Sequence, residues 1–143
     1  MQAVLYVAHG SRVKAGINEA TAFLTATMEK VNVGIQELCF LELAEPSILQ
    51  GVENCVKRGA TSIAVVPILL LSANHLKKDI PEELETVRRH FPEIELKLGK
   101  AFGIDDRLIA SLEHRLQQTN QSYEGANVLL IGRGSSDMAV LQD

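Results

Sequence analysis

Strand-like apolar runs alternate with segments of helical period along most of this chain, and few folds accommodate that alternation. AVLYVA at 3–8 precedes Ile17, Ala20, Leu24, Met28 and Val31 at steps of three and four, the spacing of one helix face. A second unit pairs a strand from Ile35 to Leu41 with a helix that opens at Pro46, carries Leu49, Val52 and Val56, and stops at Gly59. Ser62 to Val66 is nearly all apolar, as in a strand covered on both faces, and Pro67 is expected to end its regular pairing. After a loop, Asp79 to Pro81 opens a third helix with Leu84, Val87 and Phe91, closed by Arg88, Arg89 and His90. Ile94, Leu96 and Leu98 alternate with Glu95 and Lys97 as an edge strand would, and Leu108, Leu112 and Leu116 mark a fourth helix. Right-handed crossovers then leave a doubly wound α/β domain with a mostly parallel sheet, whose ligands gather at the carboxyl ends of the strands.

Composition narrows the function. The 143 residues, 46% of them hydrophobic, can bury one core but hardly two. A net charge of −4, spread along the chain, lacks the basic excess of a nucleic-acid binder. The longest apolar run, Ile63 to Leu71, falls short of the about 20 residues that span a bilayer, and no basic leader precedes the first strand, so no membrane partner is expected. Cys39 and Cys55 form neither a CxxC pair nor a disulfide framework and are expected to pack as small apolar residues in a reducing cytoplasm.

VLYVAHGS at Val4 to Ser11 recurs as VLLIGRGS at Val128 to Ser135, a domain length later. Residues 1–122 therefore read as one domain, and 123–143 as the start of a second repeat or as an extra terminal strand.

Three polar residues fall where the strand-end rule directs attention: His9 after strand one, Glu42 after strand two and His75 after strand three. If strand one lies between two and three, as in a flavodoxin-like order, all three meet in one crevice. Two imidazoles and a carboxylate suit a first-row divalent metal and leave positions open for a substrate. A neutral imidazole can also accept a proton near neutrality. Each residue has a plainer reading too: a strand-end histidine can simply bond a backbone carbonyl, and Glu42 can be a solvated loop carboxylate, with Glu45 a better candidate to cap the Pro46 helix. His90 suits the third helix's carboxyl end and His114 the polar face of the fourth, so neither is expected in the site.

HGSR at His9 to Arg12, FLELAEPSI at Phe40 to Ile48 and VVPILLLSANHLKKDIP at Val65 to Pro81 resemble the sirohydrochlorin chelatases, the small class II chelatases, over about the first 120 residues in order. The resemblance implies a flavodoxin-like chelatase fold, short single-domain and long two-domain forms, and insertion of iron or cobalt into sirohydrochlorin without a nucleotide or organic cofactor. It implies His9 and His75 as metal-binding and proton-accepting residues and Glu42 as a further ligand. GRGSSD at Gly132 to Asp137 resembles the opening of the second domain of long forms, with Arg133 where His9 stands in the first. Ser72-Ala73-Asn74 departs from the more glycine-rich loop expected before His75.

The substrate so implied is a polycarboxylate, which matches Arg12 and Lys14 after His9 and Lys77 and Lys78 after His75. Ser11 and the amides opening the first helix add donors. Fe2+, giving sirohaem, is preferred because no histidine-rich tract points to cobalt storage; Co2+ insertion for cobalamin is the alternative, and a non-enzymatic metal or tetrapyrrole carrier is the rival outside enzymology. A phosphohistidine enzyme is disfavoured, since Ala8 stands where histidine phosphatases carry arginine, and Walker A, GxSxG and dinucleotide GxGxxG patterns are missing. A homodimer, or a second domain beyond this chain, is expected to close the open side of the crevice.

Overall fold

The computed structural model describes residues 1–71, 75–119, 125–129 and 131, and of His75 only the backbone. β1 (Gln2–Ala8) leads through α1 (Lys14–Met28) to β2 (Ile35–Phe40), and α2 (Ile48–Lys57) to β3 (Ser62–Ile68). A π-helical turn (His75–Asp79) runs straight into α3 (Ile80–His90), followed by β4 (Glu95–Leu98) and α4 (Asp106–Gln117). All three strand pairings are parallel and the order is β2-β1-β3-β4. Strand one does lie between two and three, and β4 does form an edge. Among the described residues no helix is long and apolar enough to cross a membrane.

Side chains of β1 alternate between two cores, as the pleat requires. Ala3, Leu5 and Val7 join Val52, Cys55, Leu84 and Val87 of α2 and α3 on one face. Val4, Tyr6 and Ala8 join Leu24 of α1 and Phe40 on the other. The end of α1 is tied to the sheet by Gln36, whose Nε2 donates to the carbonyls of Met28, Val31 and Val33 while its Oε1 accepts from the Tyr6 hydroxyl at 2.8 Å. These bonds hold the chain in turns after Met28, so Val31 lies beyond the helix rather than on its face.

Three further expectations need correction. The second helix opens at Ser47, not Pro46: the Ser47 hydroxyl accepts from Gln50 N–H and the Gln50 side chain accepts from Ser47 N–H, a capping box, while Glu45 Oε2 also takes the Ser47 amide. Pro67 does not end pairing, for Val7 and Ala8 still align with Pro67 and Ile68. Val65 directs its carbonyl to Gly99 N–H on the β4 side; residue 67 points the same way, past the end of the β4 ladder, where the missing proline N–H breaks no bond. The third helix opens over Asp79 to Pro81 as expected, with the π turn from His75 leading straight into it. β3 is not covered equally on both faces: Ile63, Val65 and Pro67 are buried, but Ala64, Val66 and Ile68 only partly so. The helix of Leu108, Leu112 and Leu116 forms as expected, and among the described residues it buries none of its own.

Of the 123–143 segment only 125–129 and 131 are described, without regular structure, so the expected second repeat lies largely outside the described residues.

Cys39 and Cys55 are free and buried, as expected of core residues. Burial, and secondarily Cys55, raises the Cys39 thiol; burial and the Glu37 carboxylate, partly opposed by Arg58, push Cys55 up to about 11. Both stay protonated thiols, so a maleimide at neutral pH should label neither in the native protein and both after unfolding in urea. At the α2–sheet contact, a Cβ on Gly51 would meet Leu5 Cδ1 at 2.7 Å and Cys39 Cβ at 3.0 Å. Gly51→Leu is expected to lower the unfolding free energy by about 2 kcal/mol through overpacking, measured by urea denaturation at unchanged m-value.

Candidate metal centre

The β1 and β2 ladder continues past both strand ends. Leu41 N–H donates to Ala8 O at 2.8 Å and Glu42 N–H to His9 O at 3.1 Å, so two loops leave the sheet stitched together. Gly10 makes this possible. Its φ is +97°, and a Cβ there would lie 1.8 Å from the Glu42 carbonyl oxygen; the loops touch backbone to backbone, with no room for a side chain.

This contact brings His9 Nε2 to 3.5 Å from Glu42 Oε1, with the two side chains 43% and 48% exposed. Two donors about 2.1 Å from one ion in tetrahedral array stand about 3.4 Å apart, so the observed spacing fits a shared metal. His9 Nδ1 lies 3.2 Å from Gly10 O. A carbonyl only accepts, so as a hydrogen bond this contact selects the Nδ1–H tautomer and leaves the Nε2 lone pair facing Glu42.

His75 opens the π turn after β3, on the same carboxyl edge of the sheet, and its side chain lies outside the described atoms. Among the described residues no group of three His, Cys, Asp or Glu side chains gathers, so the pair of donors in place is His9 and Glu42. Ser11 Oγ accepts from Val13 N–H at 3.0 Å, shaping the turn into α1. Ser11 and His9 also line a cavity of about 210 Å³ with Ala8, Ile17, Phe40 and Ile68. Arg12, Lys14, Lys77 and Lys78 are exposed, the first two around the start of α1 and the others on the π turn. His90 and His114 sit on α3 and α4, with Nδ1 of His90 against Thr86 O and Nε2 of His114 against the Gln118 amide. Sequence reasoning passed over two features of these loops, Gly10 at the contact and Leu43 directly after Glu42. Glycine directly after a strand-end histidine was the available signal for the first; the second, in the left-handed region at φ +63°, left none.

Gly10→Ala should therefore act on the metal pair more than on the fold. A stability loss of about 2 kcal/mol and a fall in Co2+ affinity of about tenfold or more are expected, read by urea unfolding and by calorimetric titration. Co2+ affinity equal to the parent's would show that the pair does not depend on the Gly10 contact.

The CbiX family profile matches residues 3–119. Over its full length the chain is 52% identical to the sirohydrochlorin ferrochelatase of Priestia megaterium, covering 54% of it. It is 33% identical to the sirohydrochlorin cobaltochelatase of the same organism, over 96% of this chain and 46% of that one. The solved structure of SirB from Bacillus subtilis with Fe3+ superposes with a TM-score of 0.95 at 51% identity, covering 99% of this chain and 56% of that one. The chain thus spans about half the length of these relatives. A profile match across 117 of 143 residues, on a four-stranded parallel sheet whose first two strands end in the His9 and Glu42 loops, places this chain in the CbiX family.

Proposed function

We propose that this chain is the metal-handling part of a sirohydrochlorin chelatase that inserts Fe2+ to give sirohaem. The observation that carries the reading is the His9–Glu42 pair, two donors 3.5 Å apart at the carboxyl edge of adjacent strands. His9, Glu42 and His75 hold the metal substrate. Three protein donors leave positions for the pyrrole nitrogens, and partly exposed ligands can let the ion go. Insertion releases two pyrrole protons, which His9 and His75 accept as neutral imidazoles once the metal has left them. Ser11, Arg12, Lys77 and Lys78 hold the substrate's carboxylates. Iron is favoured over cobalt because the ferrochelatase relative is 52% identical and the cobaltochelatase relative of the same organism 33%. Co2+ remains chemically acceptable to the same donors.

The open side of the site is closed by a second domain of the same fold, which the echo of Val4 to Ser11 at Val128 to Ser135 begins after residues 1–122, or by a second copy. The free thiols fit a reducing cytoplasm.

The test is the absorbance change of anaerobic sirohydrochlorin on adding Fe2+ or Co2+, with and without the protein. Acceleration is expected with both metals, greater with Fe2+. His9→Ala and His75→Ala should each remove at least about a hundredfold of the rate while leaving the thermal unfolding transition in place. Glu42→Gln should weaken metal capture more than tetrapyrrole binding. Tight metal binding without acceleration would identify a carrier, and parent-like rates in both histidine variants would end the proposed mechanism.

A further inference from the structure

Leu43 combines two unfavourable features. Its φ of +63° lies in the left-handed region, which a residue with a bulky side chain seldom occupies, and it is 48% exposed. Exposed leucines are ordinary singly, and left-handed residues cluster where a site over-determines the backbone. Both features fall on the residue directly after Glu42, whose Cα is about 3.8 Å away across a trans peptide. The loop therefore keeps an aliphatic side chain open to solvent, against its own backbone preference, within one tetrapyrrole ring's reach of the metal pair.

Other loops at this end of the sheet also expose apolar side chains. Val13, after His9, is exposed, and so are Leu70 and Leu71 between β3 and the π turn. The loop after β4 is stitched to these by Phe102 N–H to Leu69 O and Gly103 N–H to Leu70 O, and it exposes Phe102. Exposed cations border these residues: Arg12 and Lys14 flank Val13, and Lys77 and Lys78 follow His75. Exposed apolar side chains on these loops, with cations beside them in the chain, suit a flat molecule with apolar faces and an anionic rim.

We propose that Leu43 is a specificity-determining substrate contact: it presents an aliphatic surface to the face of the macrocycle beside the metal, with Val13 and Leu70 as further apolar contacts. This rests on the chelatase reading of the site. Leu43 acts on the ring and not on the ion, so its removal separates the two ligands.

The experiment compares the parent with Leu43→Gly and Leu43→Asp, titrating metal-free sirohydrochlorin by fluorescence and Co2+ by calorimetry, alongside thermal unfolding. Glycine adopts φ +63° freely, so Leu43→Gly should melt above the parent. It should nevertheless bind sirohydrochlorin about tenfold more weakly, with Co2+ affinity within about twofold of the parent's and a raised KM for the tetrapyrrole but not the metal. Leu43→Asp, which repels carboxylates, should bind the ring more weakly still. Parent-like ring affinity in Leu43→Gly overturns the proposal, and if that variant also melts lower, Leu43 is a packing residue. A parent that binds Co2+ but no sirohydrochlorin removes the chelatase reading and this proposal with it.

Discussion

Where a side chain on residue 10 would be, the carbonyl of Glu42 already lies. That approach, with the two backbone bonds flanking it, fixes the separation of the His9 and Glu42 backbones by main-chain contact, within which their side chains reach 3.5 Å. The rest of the fold holds the contact still. β1 is buried on both faces and paired on both edges, and the strand that delivers His9 is consequently the most constrained in the sheet. A candidate site built at the end of such a strand has its backbone anchored by the sheet.

Much of the architecture could be read from the residues because burial writes itself into periodicity. AVLYVA reads as a buried strand from its unbroken apolar run, and Leu84 and Val87 read as one face of a helix from their spacing. His9 and Glu42 could be brought together on paper since both end strands, and parallel strands end on one edge. What escaped was backbone conformation. Whether Ser47 or Pro46 starts a helix turns on one capping box; whether Pro67 ends a strand turns on which way its nitrogen points. The strain at Leu43 leaves no trace in hydrophobic pattern, because a leucine reads the same at either sign of φ. The stripe on α4 was read correctly as helical, but its partner surface could not be inferred, and in the described structure it buries nothing.

The two faces of the sheet are unequal. Among the described residues, α2 and α3 bury a continuous core against Leu5, Ile63 and Val65, whereas α1 packs on the opposite face over Val4, Tyr6 and Ala8. The loops that carry His9 and Glu42 join the sheet to both faces, since α1 follows the first and α2 the second.

The π turn that begins at His75 holds one residue more per turn than the helix it feeds. An α-helix advances about 100° per residue, so losing that one residue would regularise the turn and swing the backbone at His75 by roughly a quarter of a circle about the axis of α3. Its bearing on the crevice is thus a matter of count and not of chemistry, and a single-codon insertion ahead of an ordinary helix would suffice to have created it.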